Sequence, residues 1–274
     1  MVKRLLDLVF ASIGLVVLAP LMIPAMVLIW LQDFRSPLYV PTRAGCGGRP
    51  FKMVKLRTMV VDADSAGVDS TAAADPRITP IGRFVRACKL DELSQLWNVV
   101  TGDMSLVGPR PNVANEIARY TEIENRLLDA KPGITDMSSI VFADEGEILR
   151  DSSDANLDYN RLIRPWKSRL ALFNLERRSD ALDMALMVVT VLGVVSRRAA
   201  LGALSFILSR LDAPARLVWR AGANAPRAGL GGNPIHDNSS SDGAVLVNVV
   251  GGHWMIGSGW SRRDQGAVPS GDAA

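Results

Sequence analysis

Asp91 and Glu92 are adjacent acids in the run KLDELSQLWNVVTGDMSLVGPRP, Lys89 to Pro111, which closes on Arg110 between Pro109 and Pro111. Two readings compete for them. Acids in a first turn complement the helix macrodipole and Asp is a good N-cap, so the pair could simply open a helix. Adjacent helical positions point about 100° apart, so the two carboxylates cannot share one proton, but they can do separate jobs. A carboxylate is a recognised nucleophile at phosphorus, and a second can hold Mg²⁺, which takes few carboxylates together with phosphate oxygens. Arg77, Arg83, Arg86 and Arg110 lie close in sequence and could neutralise phosphate charge. Chemistry on a diphosphate fits these residue types, and so do ordinary salt bridges. The chain offers no GxxxxGK[ST] and no convincing GxGxxG, so kinase-like ATPase and dinucleotide-binding readings lack support.

The elements that would position these residues are legible. Thr79-Pro80 is a sound helix start, with a hydroxyl N-cap and proline at the first position, and Ile81, Phe84 and Val85 give one apolar face. A second helix is predicted from Asp91 to about Val100, stopped by Gly102, with Leu93, Leu96, Trp97 and Val100 as ordinary core. SLVGPRP reads as a short strand into a loop stiffened by its prolines. Upstream, SPLYVPTRAGCGGRPFKMVKLRTM predicts a small β-hairpin around Gly45, Gly47 and Gly48 that carries Arg43, Lys55 and Arg57. Those cations could meet substrate or rest on anionic lipid. Asp64 to Ala74 reads as a mobile loop.

No charged residue occurs from Leu8 to Leu31, a length sufficient for a membrane helix. Lys3 and Arg4 precede the segment and Arg35, Arg43, Arg49, Lys52, Lys55 and Arg57 follow it, so the positive-inside rule keeps both ends in the cytoplasm. Pro20 and Pro24 sit near its middle. The arm from Leu5 to Ala19 reaches about 22 Å and that from Pro20 to Leu31 about 18 Å, each short of the ~30 Å hydrocarbon core. A re-entrant helix hairpin follows, with a kinked span as the alternative. A cleaved signal is a third option, although the apolar run outlasts the usual signal core.

The remaining composition is permissive. The chain has 274 residues, with 31 basic and 28 acidic side chains, an excess too small to argue for nucleic acid as a partner. Two cysteines, Cys46 and Cys88, make no disulfide framework and lack metal-site spacing. The two histidines, His236 and His253, lie in a Gly/Ser/Asn-rich tail, so carboxylates must do the work histidine usually does. Met184 to Val195 and Ala199 to Leu208 are apolar runs too short to span, separated by Arg197-Arg198, and read as an interfacial helix pair or as core helices. From Pro214 onward the composition predicts disorder, although AVLVNVVGGHWMIGSGW could form a strand pair to which no function is assigned.

The order of these motifs resembles the bacterial sugar transferases, the monotopic polyprenyl-phosphate phosphoglycosyl transferases that begin glycan assembly on a lipid carrier. The matching pieces are KRLLDL, the apolar segment with Ala19-Pro20, RAGCGGRPFKMVKLRTM, the block DPRITPIGRFVRACKLDELSQLWNVVTGDMSLVGPRP, KPGIT, and YNRLIRPWKSRLALFNLERRSDALDMALMVVTVL. They run from about Val2 to Val195. The resemblance implies a mostly helical α+β, monotopic membrane protein: a helix hairpin over 1–34, a catalytic domain with interfacial helices over 35–210, and a disordered tail over 211–274. It implies a cytoplasmic-face enzyme of the bacterial inner membrane. The donor would be a UDP-sugar, the acceptor polyprenyl (undecaprenyl) phosphate, and the cofactor Mg²⁺. The product would initiate exopolysaccharide, O-antigen, capsule or glycoprotein glycan assembly, with downstream glycosyltransferases as further partners and no nucleic acid.

By that similarity Asp91 is the nucleophile at the sugar-linked phosphorus and Glu92 the metal-binding acid. Arg110 is then expected near the nucleotide sugar, and Arg77 and Arg86 near the phosphates, with Arg43, Lys55 and Arg57 as further substrate-binding cations. Four departures stand out: Ala19 where members commonly have Ser before the membrane proline, Ser94 where proline follows Asp-Glu-Leu, Asp136 where most read glycine after PGIT, and the residues around Pro41-Thr42. A rival from another class is a non-catalytic, membrane-anchored relative that binds lipid or partner proteins. Such a module needs only net basic charge, whereas Asp91, Glu92 and Arg110 together favour catalysis.

Overall fold

The structure is a computed structural model that describes residues 2–63, 75–149 and 154–214, together with the backbone of 245–250 and 253–258. The chain divides into two compact units, Met1–Leu204 and Ser205–Ala274. The loop expected over Asp64 to Ala74 and most of the expected tail lie outside the described residues. The architecture is mostly helical with small two-stranded sheets and one long apolar N-terminal helix, the α+β class expected.

That helix, α1 (Val2–Leu31), runs as one 30-residue element through Pro20 and Pro24, where two arms separated at Pro20 were expected. It is the helix in the described residues long and apolar enough to cross a membrane. Its buried side is narrow: Asp7, Ala11, Met22, Ala25 and Ile29. Leu5, Val9, Ile13, Val16, Val17, Leu21, Ile23, Val27 and Leu28 are exposed, a far larger apolar surface than a water-facing helix carries.

A Gly-rich hairpin follows. β1 (Leu38–Tyr39) pairs with β4 (Lys55–Leu56), and β2 (Thr42–Ala44) with β3 (Pro50–Lys52), both antiparallel. The tip is a short 3-10 turn at Cys46–Gly48, where Gly47 and Gly48 take positive φ that only glycine adopts without strain. α2 (Pro80–Ala87) begins as predicted, the Thr79 hydroxyl accepting from Gly82 N at 2.9 Å. Gly82 is obligatory there: a Cβ would lie 1.9 Å from the Thr58 carbonyl oxygen. Phe84 leaves the predicted apolar face and is 58% exposed.

The single helix expected from Asp91 to Val100 is broken into α3 (Leu90–Leu93) and α4 (Leu96–Thr101). Side chains at the break and in α4 bond to the hairpin: Ser94 Oγ donates to the Val54 carbonyl at 3.1 Å, and Asn98 Nδ2 donates to the Lys52 carbonyl at 2.7 Å while its oxygen accepts from Val54 N at 2.8 Å. Gly102, with φ 96°, ends α4 as expected. Of the predicted stripe, Leu96 is buried but Trp97 is 54% exposed.

β5 (Ser105–Val107) pairs in parallel with β6 (Gly133–Thr135). Gly108 and Gly133 meet so closely that a Cβ on Gly133 would sit 2.1 Å from Gly108 N. The chain between and after these strands forms short helices: α5 (Ala114–Ile117), α6 (Glu122–Asn125), α7 (Met137–Val141), α8 (Glu145–Ile148) and α9 (Ala155–Asp158). A π turn at Tyr159–Ile163 leads into α10 (Arg164–Glu176). α11 (Asp180–Val195) and α12 (Arg197–Arg210) follow, broken at Ser196 and not at the arginines, which open α12. α11 buries Leu182, Leu186 and Val189 and exposes Val188, Val191, Val194 and Val195, so both its faces are apolar. By itself, the second unit contains the antiparallel pair β7 (Val245–Val250) and β8 (His253–Ser258), the strand pair predicted there.

Both ends of α1 are fastened to the first unit. Asp7, only 6% exposed, accepts from Ser105 Oγ at 2.8 Å and Leu106 N at 3.0 Å, which fixes the strand leading to Arg110. Arg4 donates to the carbonyls of Val99 and Val100 and so caps the end of α4. At the other end Ala25 and Ile29 pack into a buried cluster with Leu56, Val85 and Leu90.

Candidate active site

Three pieces of backbone converge: the α2–α3 junction, the hairpin and the Gly108–Pro111 loop. Between α2 and α3 the chain turns at Lys89, a non-glycine residue with φ 56° whose Nζ donates to the Ala143 carbonyl at 2.9 Å. A left-handed residue two positions before Asp91 is the kind of local strain that functional sites retain. Asp91 therefore stands inside the first turn of α3 and is not its N-cap; Lys89 occupies that position, and no side chain caps it. The N-cap part of the helix-start reading fails, while both acids do lie in the first turn of α3, as its macrodipole part expected.

Arg110 is held rigidly. Gly108 N donates to the Thr135 carbonyl at 3.0 Å and Gly133 N to the Pro109 carbonyl at 2.9 Å, while Ala44 N donates to the Asn112 carbonyl at 3.1 Å and ties the hairpin to the same loop. From this mount Arg110 Nη2 donates to Glu92 Oε1 at 2.7 Å. Arg86, in the last turn of α2, is oriented by its Nε donating to Thr58 Oγ1 at 2.9 Å.

The charges separate the two acids. Burial would raise Glu92, but Arg110, Lys55 and the Arg110 hydrogen bond outweigh it and hold the carboxyl down at about 2. Burial raises Asp91, with Glu92 adding to the effect, against the pull of Lys55, Arg86 and Arg110. Lys55 is lowered by burial and by Arg110 despite the nearby acids. Among the described residues the Asp91 carboxylate accepts no hydrogen bond. One carboxylate is thus ionised and committed to a cation, and the other is unbonded and made more basic. Paired acids with pKa values driven apart are how a site assigns different roles to like groups.

Of the residues expected from sequence, Asp91, Glu92, Lys55, Arg86 and Arg110 come together, and Arg43 on β2 is close enough to Lys55 to act on its charge. Arg77 stands beside Arg86 but grips Asp75 through two nitrogens and donates to the Ala63 carbonyl at 3.0 Å. Arg57 is elsewhere. It pairs with Asp33 at 2.6 Å and reaches the Ile29 carbonyl, capping the end of α1. β4 stops at Leu56, so the alternation that would put Lys55 and Arg57 on one face does not extend to Arg57.

Several participants carry no sequence signal of their own. Glu145 and Tyr159 lie near enough to Arg110 to act on its charge, and Lys167 donates to Glu145. Each reads in sequence as an ordinary helix-surface polar residue. Asn98 could have been noticed as a polar side chain inside an apolar stripe.

Two carboxylates beside three or four cations can hold a diphosphate and a divalent ion. Among the described residues no three His, Cys, Asp or Glu side chains form a metal-holding group, so an ion here would need the substrate's oxygens to complete its shell.

The chain belongs to the bacterial sugar transferase family, whose profile matches residues 1–197, and its long apolar N-terminal helix points to membrane association. Among its relatives is a Bacillus subtilis protein provisionally named undecaprenyl-phosphate N-acetylgalactosaminyl 1-phosphate transferase, 42% identical over 44% of this chain and 72% of its own length. The UDP-glucose:undecaprenyl-phosphate glucose-1-phosphate transferase of Caulobacter vibrioides is 38% identical over 60% of this chain and 64% of its length. The undecaprenyl-phosphate galactose phosphotransferase of Salmonella typhimurium is 40% identical over 48% of this chain, but the match spans only 31% of that protein.

Proposed function

We propose that this protein transfers a sugar 1-phosphate from a UDP-sugar to polyprenyl phosphate by way of a covalent phosphosugar on Asp91. The observation that carries this is the division of labour at the site: Glu92 ionised and locked to Arg110, Asp91 beside it unbonded and raised. The relatives named above point to the donor and acceptor classes.

In the first step an Asp91 carboxylate oxygen attacks the phosphorus that bears the sugar. The bond from that phosphorus to the bridging oxygen breaks, and UMP leaves with the electron pair. In the second, a phosphate oxygen of the lipid attacks the same phosphorus and releases the Asp91 carboxylate, giving polyprenyl-diphospho-sugar. Arg110 and Lys55 neutralise the charge on the non-bridging oxygens, and Arg86 serves the same end from α2. Glu92 fits a Mg²⁺ ligand: Oε1 accepts from Arg110, and among the described residues its other oxygen accepts no hydrogen bond, which suits an ion that prefers one or two carboxylates with substrate phosphates. Such an ion would supply charge neutralisation on the diphosphate. Splitting the reaction lets a water-soluble donor and a lipid acceptor use one site in turn.

The same reading places the protein at the cytoplasmic face of the inner membrane. α1 touches the first unit from Lys3 and Arg4 through Gly14, opposite Leu96, to Ile29, while its other face stays apolar and exposed. A straight span would carry much of the helix away from the catalytic unit into lipid. Contact near both ends of α1, at Lys3 to Gly14 and at Met22 to Ile29, supports both ends lying on one side of the membrane.

The test is UMP release from UDP-sugars by detergent-purified protein with Mg²⁺. Release that Asp91→Asn abolishes supports the reading, and equal release from the variant sinks it.

A further inference from the structure

Beside Arg110 lies a second polar group that the transfer chemistry does not use. Lys167, on α10, donates to Glu145 Oε2, and its ammonium stands 5.3 Å from the centre of the Tyr159 ring. Glu116, on α5, is close enough to Lys167, Arg164 and Arg43 to feel their charges, and Tyr159 is close enough to Glu116, Glu145 and Arg110 to feel theirs. Glu116 and Tyr159 are half-buried, and among the described residues neither side chain's oxygens take part in a hydrogen bond. Withdrawing such groups from water is costly unless a partner arrives.

Resting on the reaction proposed above, we infer that Glu116 and Tyr159, fixed in place by the Lys167–Glu145 pair, bind the hydroxyls of the donor sugar and select an uncharged hexose. Arg110 is close enough to Lys55 and Glu92, and also to Glu145 and Tyr159, for their charges to act on one another, so the sugar of a diphosphate held at Arg110 and Lys55 would come near this second group. A carboxylate accepts two neighbouring hydroxyls and a phenol can donate and accept, the inventory a vicinal diol needs. A second phosphate fits poorly against Glu116 and Glu145. Lys167 also occupies one face of the Tyr159 ring, leaving its hydroxyl as the polar group this residue offers. Burial raises Glu116, as expected of a carboxyl awaiting a neutral hydrogen-bonding partner.

The experiment measures UMP release by full-length protein in detergent from UDP-glucose, UDP-galactose, UDP-N-acetylgalactosamine and UDP-glucuronic acid, with UDP alone as inhibitor. Wild type, Glu116→Gln and Tyr159→Phe are compared. The inference predicts little turnover of UDP-glucuronic acid by wild type. In each variant KM for the preferred donor should rise about tenfold and discrimination among donors should narrow, while UDP inhibition stays constant. Melting temperature checks folding, and should one variant unfold, the other carries the test. An unchanged donor ranking overturns the inference, as does an equal loss of UDP affinity, which would assign these residues to the nucleotide or to the fold. Failure of wild type to release UMP from any donor would fall on the transfer reaction itself and remove this inference with it.

Discussion

Arg110 Nη2 donates to Glu92 Oε1 at 2.7 Å, while the carboxylate of Asp91, one residue earlier on the same turn, accepts no hydrogen bond among the described residues. That asymmetry makes Arg110 both the anchor of Glu92 and a stabiliser of phosphate charge. Arg110→Ala should lower kcat/KM by about 10²- to 10³-fold, the usual effect of losing one preorganised donor. Arg110→Lys should recover only part of it, since an ammonium lacks the guanidinium fork. Steady-state kinetics on both variants checks this.

The acid limb of the rate profile should belong to Asp91. Glu92, held at about 2, stays ionised throughout the working range. Asp91, raised by burial above its ordinary 3.8, must lose its proton to act, so kcat/KM falls as pH drops through that raised value. Lys55 is the strongest cation opposing the rise, so Lys55→Met should move the acid limb to higher pH. A pH profile of UMP release reads the shift directly.

Stability should move the other way from activity at Asp91. A carboxyl with a raised folded pKa holds its proton more tightly in the native state, so its contribution is lost as pH rises through that value. At neutral pH Asp91→Asn should therefore melt no lower than wild type. An N-cap would instead cost ~1 kcal/mol on removal. Thermal melts at pH 7 separate the two.

Gly82→Ala tests the seat of α2. With a Cβ 1.9 Å from the Thr58 carbonyl oxygen, the helix must shift, at a cost of about 1–3 kcal/mol typical of overpacking. Arg86 takes its orientation from the same Thr58, so transfer should fall as well.

Asp7→Ala would leave Leu106 N short of its acceptor in a buried place, at about 1–3 kcal/mol, while Ser105 Oγ keeps the Val107 carbonyl. Because that strand leads into the Arg110 loop, activity in detergent should drop along with the melting temperature. Asp7→Asn, which keeps one acceptor, should lose less of both.

What the sequence made legible followed from local chemistry. Thr79-Pro80 starts α2, Gly102 stops α4 and Gly47-Gly48 turn the hairpin, because caps and positive φ are decided by one or two residues. What it hid depends on partners far along the chain. Nothing near Ser94 announces a helix break; the cause is the Val54 carbonyl, together with Asn98 reaching Lys52. Trp97 and Phe84 fit a buried stripe by period, yet both face outward, consistent with a surface that meets lipid and not water. The periodicity could not see that difference, since both environments favour apolar side chains. Arg57 looked like a partner of Lys55 until the strand ended one residue early and Asp33 claimed it. Glu92 and Arg110 were identified by residue type and motif order, whereas Glu116, Glu145, Tyr159 and Lys167 meet only through the packing of α5, α8, the π turn and α10.

The most direct test of the account is whether a phosphosugar forms on Asp91 before any acceptor is present. Intact-protein mass spectrometry after incubation with Mg²⁺ and the active UDP-sugar, followed by peptide mapping, would read it. The account predicts an adduct of one sugar phosphate on wild type, located at Asp91, absent from Asp91→Asn and discharged by polyprenyl phosphate. UMP release that occurs only when acceptor is added, with no adduct trapped at any time, would mean direct transfer from donor to lipid and would contradict it.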